Sequence, residues 1–148
     1  MPDTLTPPVF SALLAGVLIS LQSVLMLTVG ISRSGAGKGV GVDGDMKLER
    51  LVRRHGNLAE NAAIFLVVLA LYELLNGADL FALIVGVLFI SARMLHVIGF
   101  SSDAGSHLVD IAGGRRLYVL MRASGAGLTA LCSIALGLTL AISVTMTY

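Results

Sequence analysis

Four apolar segments, over about 9–31, 58–75, 80–100 and 118–146, take up most of a chain of only 148 residues. At about 1.5 Å per residue, about 20 helical residues cross the roughly 30 Å hydrocarbon core of a bilayer. Inside lipid every backbone N–H and C=O must find a partner within the protein, which leaves a helix as the solution for apolar runs of this length. Composition agrees: 56% apolar residues, 13% charged residues and a mean hydropathy of +0.92 are more than the surface of a soluble domain tolerates. We therefore expect an all-α membrane protein, a four-helix transmembrane bundle forming one domain over 1–148. The helices are expected near 9–31, 47–75, 80–100 and 115–146.

The connections are short and of different character. Residues 32–45, SRSGAGKGVGVDGD, are rich in glycine and read as a surface loop; no strand precedes them, so the glycines are not a phosphate-binding pattern. The second connection, around Asn76–Asp79, is tight enough to make its helices antiparallel neighbours, with Asn76 or Gly77 as C-cap and Asp79 as N-cap. The third, 101–114, is polar and ends in glycine. Eight of the ten Lys and Arg lie in the first and third connections or the helix ends beside them: Arg33, Lys38, Lys47, Arg50, Arg53, Arg54, Arg115 and Arg116. By the positive-inside rule both termini face away from the cytoplasm, which in a bacterial host means an inner-membrane protein. The N-terminal stretch holds Asp3 and no Lys or Arg, so the first apolar segment is expected to be retained rather than cleaved.

Charge that continues into an apolar segment needs a reason, because an Arg or Asp at a membrane centre costs roughly 2.5–3.5 kcal/mol even on lenient insertion scales. The run RLVRRHGNLAEN over 50–61 brings five ionisable groups and two Asn into the second helix. Arg50, Arg53, Arg54, Asn57, Glu60, Asn61 and Ile64 follow helical spacing and form one stripe, opposite the apolar Leu51, Val52, Leu58, Ala62 and Phe65. On the third helix Arg93, His96 and Phe100 share a face; on the fourth, Arg115, Tyr118 and Arg122 do, with Arg116 one residue round. Helix two enters where helix three leaves and helix four returns, so these groups converge at one end of the bundle. Glu60 is expected to be the main buried acid among them, and Glu73, His107 and Asp110 are assigned to interface or loop. An excess of guanidinium at that end suits an anionic ligand, since the planar fork binds carboxylates bidentately.

A plainer reading has Arg93, Arg122 and Glu60 pairing to join helices while Arg50, Arg53 and Arg54 reach to headgroups. Small residues, namely Gly16, Ser20, Ala82, Gly86, Ser124, Gly125 and Gly127, are expected at helix contacts. Several classes are excluded. The single Cys132 allows no disulfide framework and reads as a small buried apolar side chain. His55, His96 and His107 lack the spacing and neighbours of metal ligands, so no metal is expected. A formal net charge of +1 gives no basis for nucleic-acid binding, and the basic residues near the loops are left with membrane lipid headgroups as partners.

The pattern RxxRxxxNxxEN opening the second helix, then Ala92-Arg93 with Gly99-Phe100, then Arg116-Leu117 with Arg122, resembles the MAPEG family. These are the membrane-associated proteins in eicosanoid and glutathione metabolism, which include microsomal glutathione transferases and a leukotriene synthase. The likeness extends over nearly the whole chain and is closer to the family's bacterial branch. It implies a homotrimer of four-helix subunits with glutathione bound between neighbours near the cytoplasmic face. It also implies that Arg53, Asn57 and Glu60, with Arg50 one turn earlier, hold the polar backbone of glutathione. Arg93 matches an arginine of the third helix, Arg33 corresponds to a basic residue after the first, and Arg116, with Arg115 beside it as the alternative, matches the arginine that stabilises the glutathione thiolate. Asn61, His96 and Phe100 stand where leukotriene-synthase-like members carry Tyr. His96, Tyr118 and Arg122 complete the candidate glutathione-binding set, Tyr118 as an extra donor.

The chemistry so implied is attack by a glutathione thiolate on a lipophilic electrophile, or reduction of a lipid hydroperoxide, with glutathione as co-substrate. The alternative is a non-catalytic membrane protein binding a lipid or thiol ligand in an arginine-lined pocket. A small transporter fits less well, because no Pro or Gly break interrupts a helix at its middle.

Overall fold

The computed structural model describes residues 6–103 and 115–147, with the side chains of Arg115 and Thr147 left aside. His107, Asp110 and the glycines expected to end the third connection lie outside the described residues. Four helices follow in order: α1 Val9–Gly35, α2 Met46–Asn76, α3 Leu80–Gly99 and α4 Arg115–Thr147. Each is long and apolar enough to cross a membrane, and the protein is a multi-pass membrane protein.

Helix α1 runs past the expected end at Ile31 as far as Gly35. Loss of hydropathy marks where lipid ends, not where hydrogen bonding ends, and the polar residues after Ile31 continue the turn. The helix stops where the Ala36 N–H bonds back to the Ser32 carbonyl and Gly37 takes a φ of 65°. The loop that follows lets Asp45 cap α2, its carboxylate accepting from the N–H groups of Lys47 and Leu48. Asp79 caps α3 in the same way, accepting from Ala82 N at 2.8 Å, and Gly77 closes α2 at a φ of 91°.

The expected apolar face of α2 turns inward: Leu58, Ala62 and Phe65 are buried, with Leu69 one turn on, against Leu14 and Leu18 of α1, Val85 and Phe89 of α3 and Leu136 of α4. Phe65 and Phe89 stack with ring centroids 3.6 Å apart. Leu13, Ile64, Leu131 and Ile142 point outward, as lipid-facing residues do.

The closest helix approach is between α3 and α4. A Cβ on Gly125 would stand 2.6 Å from the Ala92 carbonyl oxygen, and one on Gly99 would stand 2.7 Å from Arg122 N. Of the small residues expected at contacts, Ala82, Gly86 and Gly125 are buried there. Gly16 and Gly127 face open space, and Ser20 and Ser124 bond to carbonyls of their own helices. Small size permits contact, but only the rotation of each helix decides which small residue is used.

Glu73 overturns its assignment as an interfacial side chain, for it is fully buried. Its two carboxylate oxygens accept from Phe10 N and Ser11 N, each at 2.8 Å, and its carbonyl accepts from the Thr6 hydroxyl at 3.0 Å. The cause lies in α1, which begins after Pro7-Pro8 with no side-chain cap of its own. Helix N-termini leave N–H groups unpaired and carry positive partial charge, so a carboxylate from α2 satisfies both demands.

Candidate functional site

The polar groups gather at the opposite end of the bundle, where α2 and α4 begin and α3 ends. Arg93 lies deepest, 2% exposed between α2 and α4. One guanidinium nitrogen donates to the Asn57 carbonyl at 3.3 Å; another donates to the Gly125 carbonyl at 3.3 Å and to the Thr129 hydroxyl. Its Nε, like that of half-buried Arg54, is buried without a partner. Arg93 thereby ties three helices together through backbone acceptors, which the close Gly125 contact brings within reach.

His96, one turn on, is 6% exposed. Its Nδ1 donates to the Arg122 carbonyl at 3.1 Å, while Nε2 is buried with no partner. The His96 ring meets Phe100 at 5.0 Å between centroids, and the Arg122 guanidinium lies over the same Phe100 ring at 5.0 Å. These contacts set the register: Asn57 reaches the Arg93 guanidinium, and Gly99 lies against Arg122.

The stripe on α2 faces the other way. Arg53 and Glu60 are exposed on the four-helix unit, and Arg50, Asn57 and Asn61 are half-buried. Glu60 is thus not the buried acid it was expected to be; the inward face of α2 is taken by Leu58, Ala62 and Phe65, which turns the stripe outward. The ion pair among the described residues is Arg53 with Glu49, at 3.9 Å along the same helix. Glu60 lies two turns beyond Arg53, about 10 Å further along the axis. A carboxylate, an arginine and two amides therefore stand on the outside of a membrane helix.

Arg33 donates to the Gly41 carbonyl at 2.6 Å and Lys38 to the Val42 carbonyl at 3.0 Å, so both hold the first loop. Arg116 is exposed and Tyr118 half-buried on the first turns of α4. Of the candidate residues, the fold joins Asn57 to Arg93 and His96 to Arg122 directly, and no hydrogen bond or ion pair among the described residues joins Arg33, Arg53, Glu60, Arg116 and Tyr118 to one another. Phe100, Thr129 and the pair Gly99 and Gly125 also shape this end. A hydroxyl in the apolar fourth segment was a visible signal for Thr129; nothing in the sequence shows which glycines a neighbouring helix touches.

The grooves are apolar. One of about 500 Å³ runs between α1 and α2, lined by Ala15, Gly16, Ile19, Ala59, Ala63 and Leu66 among others. Another of about 200 Å³ lies between α1 and α3. Neither is lined by an arginine, so the guanidinium groups and the grooves are separate features of one chain.

No curated protein matches the chain. The MAPEG family model, however, matches residues 11–147, which takes in α2, α3 and α4, all of α1 but its first two residues, and every candidate site residue. With four membrane helices and the polar stripe opening the second, this chain belongs to the MAPEG family, whose members include glutathione transferases and related proteins.

Proposed function

We propose that the protein is a glutathione-dependent membrane transferase or peroxidase. The observation that carries this reading is the outward stripe of α2. Arg53, Asn57 and Glu60 stand on the outside of a membrane helix in a MAPEG chain, where lipid solvates neither charge nor amide. A second copy of the chain covers that face, in a homotrimer, and glutathione lies between copies. Arg50, Arg53 and Arg33 take its carboxylates, Glu60 takes its ammonium, and buried Arg93 acts behind them by holding the Asn57 carbonyl. Asn57 bonds its peptide groups. The positive loops support a cytoplasmic position for this end, and therefore for the site, in the inner membrane of a bacterial host.

Arg116 is the thiolate partner. A free thiol ionises near ~8.5, and lowering that to about 6.5 takes ~2.7 kcal/mol of preferential thiolate stabilisation, which the Arg116 guanidinium, exposed on the single subunit, supplies once a neighbouring copy excludes water around it. The thiol proton leaves to water. The sulfur then bonds to the electrophilic carbon of a lipophile while a leaving group departs with its electron pair or the adjacent carbanion takes a proton from water. With a hydroperoxide it takes the terminal oxygen, the O–O bond breaks, the alkoxide is protonated to the alcohol, and the sulfenic acid formed condenses with a second glutathione to give the disulfide and water. Tyr118 donates a further hydrogen bond to the sulfur. Lipophilic substrate enters from the bilayer.

One observation favours a second reading, that of a lipid-binding protein without turnover: the apolar groove between α1 and α2 has room for an acyl chain. An ultraviolet difference spectrum of the purified protein with glutathione across pH separates the two. The enzyme shows thiolate absorbance at neutral pH that disappears in Arg116→Ala. Binding without that absorbance supports the second reading, and absence of binding rules out glutathione as ligand.

A further inference from the structure

Arg122 is held on three sides. Its backbone lies against Gly99, where an added Cβ would meet Arg122 N at 2.7 Å and Cα at 2.9 Å. Its carbonyl accepts from His96 Nδ1 at 3.1 Å. A carbonyl only accepts, so this bond requires the proton on Nδ1. Its guanidinium lies over Phe100, and Phe100 is packed in turn by the His96 ring. Position and orientation of the cation are therefore set before any ligand arrives.

The ring's quadrupole attracts the cation without using up its N–H donors, which stay available to an acceptor. No carboxylate among the described residues pairs with Arg122, the ion pair there being Glu49 with Arg53. The level is also defined. Gly99 is the last residue of α3, whereas α4 begins seven residues before Arg122, about 10 Å further out. Gly99 and Phe100 are the last apolar residues before Ser101, Ser102 and Asp103, so Arg122, packed against them, lies level with the loss of hydropathy at the end of the third segment, and Arg116 stands about 9 Å nearer the water.

We propose that Arg122 is an anion-binding group, preorganised by Phe100 and His96, that takes a carboxylate presented at the hydrocarbon border. The planar fork offers two parallel N–H donors to such a group, and the contact over Phe100 reduces the rotamer search that a free arginine undergoes on binding. This subsite is distinct from the thiolate partner proposed above, which is Arg116. The carboxylate comes either from a fatty-acid-like amphiphile in the bilayer or from the water-soluble thiol ligand.

The test uses full-length protein in phosphatidylcholine nanodiscs, titrated with oleate, with glutathione and with uncharged oleyl alcohol. Arg122→Gln is expected to weaken one of the two carboxylate probes at least tenfold and to leave oleyl alcohol within twofold. Arg122→Lys, which keeps the charge without the fork, falls between. His96→Leu and Phe100→Leu are expected to weaken the same probe three- to tenfold, and His96→Asn, which keeps a donor near the Nδ1 position, to recover most of the loss. Dependence on oleate identifies the bilayer amphiphile, and dependence on glutathione the thiol ligand. The proposal is overturned if a variant that elutes and melts like the wild type binds both carboxylates within twofold of it, or if the wild type binds neither. A failure of glutathione alone removes the thiol reading and leaves the oleate titration to decide on Arg122.

Discussion

The two ends of this bundle handle buried charge in opposite ways. At one end Glu73 is fully enclosed, and both carboxylate oxygens are used by N–H groups of α1. At the other, Arg53 and Glu60 are exposed, and Arg54, Arg93 and His96 each keep a buried nitrogen with no partner. A charge whose bonds are all made within the chain stabilises the fold, while groups left over in a membrane protein await a partner from outside it. The same kinds of residue thus serve structure at one end and recognition at the other.

Glu73→Ala breaks the comparison most severely. It leaves the Phe10 and Ser11 N–H groups without acceptors, at about 1–3 kcal/mol each. Thermal unfolding in detergent should show that loss, while Arg53→Ala should stay within about 0.5 kcal/mol of the wild type and lose glutathione binding instead. Equal destabilisation by the two variants would show that the ends do not differ. Next in size, Gly125→Ala drives a methyl group to 2.6 Å from the Ala92 carbonyl and 2.8 Å from His96 N. The α3–α4 pair must separate, at about 1–3 kcal/mol, and Arg93 loses its reach to Gly125 and Thr129. Gly127→Ala, whose Cβ meets nothing within 4 Å, is its control and should be neutral in the same melt.

The smallest effect lies at the start of α2. The Leu48 N–H holds the Asp45 carboxyl below its ordinary value of 3.8, with desolvation opposing, and Lys38 and the Lys47 N–H assisting. A depressed value means that the carboxylate's contribution is present above pH 3.8 and is lost as pH falls through the lower folded-state value. The protection factors of the Lys47 and Leu48 amides, taken against their intrinsic exchange rates at each pH, should therefore fall only at acid pH, with those of the core amides of α2 unchanged. Protection that does not depend on pH there would remove Asp45 as the cap.

Much of the fold was legible. Four apolar runs of spanning length yielded four helices, and Asp79 and Gly77 marked their caps because capping chemistry acts over a few neighbouring residues. The polar stripe of the candidate site was legible in its residue types, through the helical spacing of Arg53, Asn57 and Glu60. What could not be read was which acid is buried. Glu73 and Glu60 both lie on polar-looking turns of one helix, and the difference comes from α1, whose Pro7-Pro8 start leaves amides that only a neighbouring helix can satisfy. Arg93 likewise looked free to meet a ligand, yet three of its bonds go to Asn57, Gly125 and Thr129 on other helices.

By itself, then, the sequence determined the membrane environment, the number of helices and the end of the bundle at which the arginines collect, because hydropathy, helical period and local caps are properties of contiguous residues. The tertiary structure alone decided how each helix is rotated. That rotation brings Gly125 onto Ala92, encloses Glu73 beneath α1, turns Glu60 outward and lays Arg122 over Phe100. These outcomes depend on side-chain volumes and unpaired hydrogen-bonding groups contributed by different helices, and no single stretch of the chain carries them.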